Sequence, residues 1–291
     1  MMDTASSART GKGAGDENFP VASWLIAPQH RPAIFAFYDF VRTADDVADH
    51  AMLAPSEKLR LLDQLEAGLA GRDDREAVAV ALRSVLRERG LGPQHAIDLL
   101  NAFRLDVHKL RYETWEELID YCRLSAMPVG RYVLDVHGES QALWPANDAL
   151  CAALQIINHL QDCGKDYRAL DRVYVPGEAM AEAGVDVAAL GADRASPALR
   201  LCLHGLARRT GTLLEEARGF SADIQNRRLS LEVAIIHRLA DRLVHRLERR
   251  DPLSERVHLG KAHALGVVIG VLAGRWRRRP KRPAPALRVP T

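Results

Sequence analysis

The sequence predicts one all-α domain, and three observations lead to this expectation. Apolar residues recur at helical spacing from Asn18 to about Gly274. Alternating, strand-like stretches are absent from that region, and aromatic residues make up only 5% of the chain. No stretch within it has the composition of a linker between domains. We therefore expect residues 17–274 to form one helical bundle, with a disordered leader at residues 1–16 and a basic, proline-rich tail at residues 275–291.

Three stretches carry the helical pattern most clearly. EKLRLLDQLEAGLAG places Leu59, Leu62, Leu65 and Leu69 at the spacing of one helix face. SPALRLCLHGLARRTGTLLEEARGF continues such a pattern for about six turns. LEVAIIHRLADRLVHRLERRDP is another amphipathic run, which we expect Pro252 to stop.

The segments between these helices carry the signals of turns and loops. RGLGP, at residues 89–93, and WPAND, at residues 144–148, combine residues that are typical of turns, so we expect both to separate helices. DRVYVPGE, from Asp171 to Glu178, is the best candidate for an extended loop that ends at a proline.

Composition and charge exclude several classes of protein. The formal net charge is +2, so the molecule as a whole is not a polyanion binder, and we expect no nucleic-acid partner. The four cysteines show no CxxC spacing and follow no secretory signal, which predicts reduced thiols in a cytoplasmic protein. No apolar run reaches the roughly 18 residues that a membrane-spanning helix needs.

The end of the chain leaves two interpretations open. AHALGVVIGVLAG is apolar but short, and RWRRRPKRPAPALRVPT follows it with many basic residues and prolines. The first interpretation is a core helix followed by a solvated tail. The second is a helix end and basic tail that rest on the anionic inner surface of a membrane, so that the cytoplasmic protein is peripherally bound.

Two clusters of oxygen-bearing side chains stand out within apolar helical stretches. In FYDFVRTADDVADH, Asp45 and Asp49 are four residues apart and Asp46 lies beside them. In QIINHLQDCGKDYRALDRVYVP, the residues Asn158, Asp162 and Asp166 are spaced four and four. A step of four rotates a helix by only about 40°, so each set lines one helix face. Two such faces across a bundle cavity suit Mg²⁺ ions that hold a diphosphate.

Cationic side chains accompany both clusters. Arg42 lies one turn before Asp45, where it could reach a phosphate, or form an ordinary ion pair along the helix. Lys165 and Arg172 flank the second cluster, and the fork-shaped guanidinium of Arg172 could close over a diphosphate. Metal ions and arginines stabilise negative charge that develops on a leaving group. The reaction class that follows is the ionisation of an allylic or cyclopropylcarbinyl diphosphate.

The segments YDFVRTADDVAD, YCRLSAMPVGRYV and NHLQDCGKDYRALDRVYVP together resemble the squalene/phytoene synthase family, in the family's order and spacing. The resemblance covers nearly the whole chain between Asn18 and Leu272. It implies an all-α isoprenoid-synthase bundle with a central active-site cavity and three Mg²⁺ ions bound with diphosphate. By position, the resemblance implies that the metal ligands are Asp45, Asp49, Asn158, Asp162 and Asp166, with Asp46 as an auxiliary acid.

The same resemblance implies roles for residues that contact the substrate. The carboxylates Asp45, Asp49, Asp162 and Asp166 would act in catalysis with Tyr121, which matches the family's pocket tyrosine near the ionising centre. Gln161 and Lys165 lie within the second acidic motif and are candidates for substrate contact. The remaining candidates match residues near the diphosphate, in the covering loop and in a late basic pair: Tyr38, Arg42, Arg172, Tyr174, Arg256 and Lys261.

Several positions depart from the family's usual pattern. The leader has Asn18 and Phe19 within DENFPVAS, and Ser125 and Met127 stand where the family usually has valine and glycine. Gln161 replaces an arginine before the second acidic motif. These departures resemble the hopanoid-pathway branch of the family. That branch ionises presqualene diphosphate and captures the rearranged cation with water to give hydroxysqualene, so no NADPH is expected.

A quench by water requires a polar group that holds the water near the cation. Ser125 and Asn18 are candidates for that role, although a helix cap or a place at the pocket edge would explain them equally well. Tyr121 either orients water or stabilises the cation through its ring face, or packs in the core with its hydroxyl bonded. His159 points roughly 100° away from Asn158 on a helix, which predicts a structural role.

Two other functions remain open from the sequence. One is a prenyl transferase that condenses two farnesyl or geranylgeranyl diphosphates into presqualene or prephytoene diphosphate, squalene or a carotenoid precursor. The other is a catalytically silent family member that acts as an assembly partner for neighbouring isoprenoid enzymes. The number of diphosphates consumed separates the first from hydroxysqualene formation, and the intact acidic clusters argue against the second.

Overall fold

The computed structural model describes residues 4–5, 26–260 and 265–271, and within them it is helical almost throughout. The one bridge between extended segments in this part of the chain pairs Arg111 with Val173. The predicted all-α class is therefore confirmed. The helices are α1 (Arg31–Ala48), α2 (Pro55–Leu69), α3 (Ala77–Arg89), α4 (Gln94–His108), α5 (Trp115–Ser125), α6 (Met127–Val136), α7 (Trp144–Leu170), α8 (Gly177–Glu182), α9 (Pro197–Glu216), α10 (Phe220–Asp223) and α11 (Arg227–Leu247), and residues 265–271 are also helical.

The three clearest helical patterns correspond to α2, α9 and α11. Helix α11 ends at Leu247, five residues before the proline that we expected to stop it. The expectation that WPAND separates two helices is wrong, because Trp144 and Pro145 begin α7. Proline is tolerated in the first turn of a helix, where its missing N–H has no partner to lose.

Apolar side chains form two clusters, and the helices that carry the acidic motifs belong to different ones. The first cluster packs α1 to α4 around residues such as Phe40, Leu62 and Leu100, with Tyr132 of α6. The second packs α5, α7, α9 and α11 around residues such as Ile156. The first acidic motif lies on α1 and the second on α7. The space between the clusters is therefore bordered by both motifs.

The end of α7 fixes the direction of the loop that follows. Asp171 has a φ of 51°, in the left-handed region, which a short polar side chain tolerates better than most. The loop then runs extended beside the segment that connects α4 to α5. The N–H of Val173 donates to the carbonyl of Leu110 at 2.9 Å, and that of Gly177 to the carbonyl of Tyr112 at 2.9 Å. The extended loop predicted for DRVYVPGE is confirmed up to Pro176, whereas Gly177 and Glu178 already belong to α8. The loop holds Arg172 and Tyr174 in place.

The described residues contain no helix that is both long and apolar enough to cross a membrane. All four cysteines are free, as expected, and three of them are buried: Cys122, Cys163 and Cys202. The tail at 275–291 and most of the leader lie outside the described residues. The domain limits at residues 17 and 274 therefore stay predictions.

Candidate active site

One face of α1 lines a cavity of about 290 Å³ between the two apolar clusters. Tyr38, Arg42, Asp45 and Asp49 lie on that face at spacings of four and three, so successive side chains point the same way. The other walls come from α4, α5, α7 and the loop after α7. Their lining residues are Phe103, Asp106, Tyr121, Ser125, Gln155, His159, Asp166, Leu170, Arg172 and Tyr174, and Val41 adds an apolar contact from α1.

Most of the site residues predicted from the sequence line this cavity, but some do not. The ones that line it are Tyr38, Arg42, Asp45, Asp49, Tyr121, Ser125, Asp166, Arg172 and Tyr174. Asp46 is buried behind Asp45, and Asn158 is half-buried without lining the cavity. Asn18, Phe19 and Lys261 lie outside the described residues.

A second depression, of about 300 Å³, lies beside α7, and the remaining candidate residues line it. It is lined by Gln161, Asp162, Lys165 and Arg256, together with neighbours from residues 252–258. The Nζ of Lys165 is 3.8 Å from the carboxylate of Asp162. The buried side-chain amide of Gln161 donates to the backbone carbonyl of Val257. In this structure Gln161 therefore ties α7 to the segment after α11.

The carboxylates at the end of α1 lie close to one another, and Arg42 contacts two of them. Burial, reinforced by the neighbouring Asp49 carboxylate, raises the pKa of Asp45 to about 7. Arg42 opposes this rise, with its guanidinium 3.1 Å from Asp45 and 3.6 Å from Asp46. The ion pair along the helix that we considered for Arg42 is therefore formed, and it lies within the cavity wall.

The charges of the two acidic motifs interact across the cavity. Burial raises the pKa of Asp166 to about 7, and the carboxylates of Asp162 and Asp49 add to the rise. Asp49 belongs to the first motif, so the two motifs are close enough for their charges to interact. The site therefore carries surplus negative charge, which a bound cation would relieve.

Arg172 connects the loop after α7 to both α1 and α4. Its side chain is buried, with the residue only 8% exposed. One guanidinium nitrogen donates to Asp49 at 2.7 Å and another donates to the backbone carbonyl of Asp106 at 3.1 Å. The Nε of Arg172 is buried without a partner in the described part of the chain. The guanidinium is thus held at the cavity wall, and its Nε–H donor makes no hydrogen bond to the described residues.

Asp106 is a cavity residue that the sequence analysis missed. It accepts hydrogen bonds from the hydroxyls of Tyr121, at 2.9 Å, and Tyr174, at 3.3 Å. Burial raises its pKa to about 6, against the opposing effects of Arg172 and Tyr121. One signal could have revealed it: Asp106 continues the buried face of α4 that holds Leu99 and Ala102, where an apolar residue is expected.

An aromatic wall faces the acids from α5, α7 and the loop. The ring of His159 stacks on Tyr174 with 3.5 Å between centroids, and Tyr121 lies 6.1 Å from His159. Burial lowers the pKa of His159 to about 3, helped by Arg172, so the imidazole is neutral. His159, for which we expected a structural role, lines the cavity.

The oxygen ligands fit Mg²⁺ by chemistry, although they do not enclose a finished ion site. Among the described residues, no group of three acidic, histidine or cysteine side chains is arranged to hold a metal ion by itself. Mg²⁺ commonly takes only one or two carboxylates and fills its shell with water and substrate phosphates. The half-buried carboxylates with raised pKa values are suited to share such ions with a diphosphate.

Comparisons with known proteins show the family to which the chain is related. The model of the squalene/phytoene synthase family matches residues 13–263 of this chain. Hydroxysqualene synthase of Rhodopseudomonas palustris is 58% identical over 278 residues, which cover 96% of this chain and 95% of that relative. Hydroxysqualene synthase of Sinorhizobium fredii is 52% identical over the same shares of both chains.

A solved structure shares the fold as well as the sequence. Squalene synthase HpnC from Alicyclobacillus acidocaldarius superposes with a TM-score of 0.72 at 30% identity. The match covers 84% of this chain and 92% of that one.

Proposed function

This chain belongs to the squalene/phytoene synthase family of enzymes, and from that premise we propose that it converts presqualene diphosphate to hydroxysqualene and diphosphate. The similarity to two hydroxysqualene synthases over almost the full chain supports this assignment. The observation that carries the proposal is the composition of one cavity. Acids and arginines from α1, α7 and the loop meet there with an aromatic wall, so a diphosphate and a carbocation could both be held.

The acidic end of the cavity is the proposed diphosphate site. Asp45, Asp49 and Asp166 would hold Mg²⁺ there, with Asp162 at the adjoining edge of α7. Bound Mg²⁺ would supply Lewis-acid stabilisation of the charge on the departing diphosphate. The guanidinium of Arg172, which now pairs with Asp49, would donate to the same oxygens and hold the leaving group in one orientation.

The aromatic end is the proposed cation site. The ring faces of Tyr121 and Tyr174 carry negative charge density that attracts a cation. Their hydroxyls both donate to Asp106, so the rings are held in place. The apolar side chains Phe103 and Leu170 complete the walls and limit the access of bulk water to the reactive cation.

The reaction balances without a reductant. The carbon–oxygen bond to the diphosphate breaks, and the bond's electron pair leaves with the diphosphate. After rearrangement, a water oxygen donates a lone pair to the cation and forms the new carbon–oxygen bond. The resulting oxonium gives up one proton, which the released diphosphate accepts. Because no hydride is consumed, we expect no dependence on NADPH.

The deciding experiment compares substrates. Purified protein is incubated with Mg²⁺ and either presqualene diphosphate or farnesyl diphosphate, with and without NADPH, and with EDTA in place of the metal. Mass spectrometry of the extracts identifies the products. A thirty-carbon alcohol from presqualene diphosphate, lost in EDTA and unchanged by NADPH, is the expected result. Consumption of farnesyl diphosphate to give presqualene diphosphate or a hydrocarbon would instead identify a condensing synthase.

Two variants test whether the acids carry the activity. We expect Asp45→Ala and Asp162→Ala to reduce diphosphate release by about 100-fold, because each removes charge that the Mg²⁺–diphosphate unit needs. Asp120→Ala is the control, since the exposed Asp120 pairs with Arg123 on the surface. Absence of turnover in the unmodified protein with every substrate would favour the non-catalytic assembly partner.

We also propose that the enzyme works in the cytoplasm, with its basic tail at residues 275–291 against the inner membrane surface. The product is very apolar, and the tail is rich in arginine, which supports contact with anionic lipid. Co-sedimentation with vesicles of anionic lipid, compared with neutral vesicles and with a chain that ends at residue 274, tests this. Equal binding to both kinds of vesicle would contradict it.

A further inference from the structure

The cavity contains two polar atoms that lack any partner among the described residues and belong to neither the acids nor the arginines. They are the hydroxyl of Ser125 and the Nε2 of His159. Both residues line the same cavity, and His159 is only 9% exposed. Buried polar atoms without a protein partner are usually bonded to an ordered water. The structure therefore has two such atoms on one cavity wall.

Both residues are neighbours of Tyr121. Ser125 follows Tyr121 by one turn on α5, so both residues face the same way. The ring of Tyr121 is 6.1 Å from that of His159 on α7. Stacking on Tyr174, with the ring planes 15° apart, holds the imidazole of His159 in one orientation. Ser125 and His159 thus lie next to the proposed cation site.

The tyrosine hydroxyls nearby and two guanidinium nitrogens of Arg172 have partners already, whereas the Nε of Arg172 has none among the described residues. The hydroxyls of Tyr121 and Tyr174 donate to Asp106, and Arg172 donates to Asp49 and to the backbone of Asp106. A buried water needs two to four polar partners to be held in place. Ser125 and His159 offer two such partners without breaking an existing hydrogen bond.

We propose that Ser125 and His159 together hold the water that captures the carbocation. This inference rests on the proposed formation of hydroxysqualene. The water forms one hydrogen bond with the hydroxyl of Ser125 and one with Nε2 of His159, and an oxygen lone pair remains directed into the cavity. Its attack forms the carbon–oxygen bond, and the oxonium proton goes to the released diphosphate as described above. Both residues bind and orient the nucleophile, and neither is required to break the bond to diphosphate.

This separation of roles gives a sharp test. A cation without a positioned water loses a proton from a neighbouring carbon instead, and the electrons of that C–H bond form a double bond. We expect Ser125→Ala and His159→Phe to release diphosphate within about tenfold of the unmodified rate. In each, we expect the ratio of alcohol to hydrocarbon product to fall about fivefold, the loss associated with one hydrogen bond. The variants that keep a polar atom, Ser125→Thr and His159→Gln, should retain most of the alcohol.

The assay uses the full-length protein, Mg²⁺, presqualene diphosphate and water enriched in oxygen-18, and measures released diphosphate alongside labelled alcohol and hydrocarbons. Ser84→Ala and His245→Gln, which change residues outside the cavity, serve as controls. Ser125→Ala removes a single oxygen, so loss of the fold is not expected, and thermal unfolding checks both variants.

The outcomes separate the inference from the proposed function. Labelled alcohol from the unmodified protein, with a lower alcohol fraction in both variants, supports the inference. An unchanged alcohol fraction in Ser125→Ala and His159→Phe overturns it and leaves the proposed function standing. Loss of diphosphate release with no change in product ratio also overturns it, since the residues would then act in substrate binding. If the unmodified protein forms no alcohol at all, the proposed function fails and the inference fails with it.

Discussion

The guanidinium of Arg172 lies 2.7 Å from the carboxylate of Asp49, although 123 positions separate the two residues in the chain. The contact joins the loop after α7 to the end of α1, and so closes the cavity at the point where the two acidic motifs meet. The ion pair compensates part of the negative charge of the carboxylates that line the cavity.

Replacement of Arg172 should affect catalysis more than the loss of one charge would suggest. We expect Arg172→Ala to reduce diphosphate release by about 100-fold, the size of effect seen when one preorganised donor to a developing anion is removed. Arg172→Lys keeps the charge but loses the fork that reaches Asp49 and the Asp106 carbonyl together, so an intermediate loss is expected. Steady-state rates with presqualene diphosphate measure both. Full activity in Arg172→Ala would contradict the assigned role.

Asp106 should act through the two tyrosines that it holds. In Asp106→Ala, the hydroxyls of Tyr121 and Tyr174 lose their acceptor, and each buried hydroxyl left unpaired costs about 1–3 kcal/mol. We expect a lower unfolding temperature and a broader mixture of products, because the rings are less well fixed. Asp106→Asn keeps an acceptor oxygen and should lose less stability. Equal stability of the two variants would show that the hydrogen bonds contribute little.

The local features of the site could be predicted from the sequence because helix geometry determines them. Spacings of three and four place Arg42, Asp45 and Asp49 on one face of α1 whatever the rest of the fold does. The extended loop with Arg172 is predicted from the proline that ends it. Asp106 could not be found in this way, since a single acid on α4 forms no motif and its partners are distant in sequence.

Helical spacing alone does not determine which residues of α7 line the main cavity. Each step of four adds about 40°, so Asn158 and Asp166 differ by about 80° and lie towards different edges of the helix face. Asp166 lines the main cavity, and Asp162 lines the second depression. His159 is about 100° from Asn158 but only about 20° from Asp166, two turns away. The angle from Asn158 alone therefore does not show that His159 lines the same cavity as Asp166.

Close packing of α6 against α7 should depend on Gly130. A Cβ added there would lie 2.6 Å from the sulfur of Cys151 and would also overlap the side-chain oxygen of Asn147. We expect Gly130→Ala to lower the free energy of unfolding by about 1–3 kcal/mol, because the helices must separate. Gly205→Ala in α9 is the matched control, since nothing lies within 4 Å of its added Cβ. That change should stabilise the protein by up to about 1 kcal/mol. Denaturant unfolding measures both, and equal signs would contradict the packing argument.

The pH dependence of stability should report the crowding of carboxylates in the metal-free protein. The pKa of Asp166 is about 7 in the folded state, against an ordinary value of 3.8. Between these values the folded state binds a proton that the unfolded state has released, so ionised Asp166 destabilises the fold as the pH rises. Buried His159, whose pKa is lowered, changes stability in the opposite direction near pH 6. The stabilities of the unmodified protein and of an Asp166 variant must therefore be compared with each other at each pH.

Asp166→Asn removes the charge and should raise the unfolding temperature at pH 8 in EDTA. The advantage over the unmodified protein should shrink progressively as the pH falls from about 7 towards 4, because Asp166 then becomes neutral in the folded state as well. Thermal unfolding across this range measures the difference, with Asp120→Asn at the surface as the control. Addition of Mg²⁺ with inorganic diphosphate at pH 8 should stabilise the unmodified protein more than Asp166→Asn, because binding to the folded state alone raises stability. A difference between the two proteins that does not vary with pH would mean that Asp166 carries no excess charge in the fold.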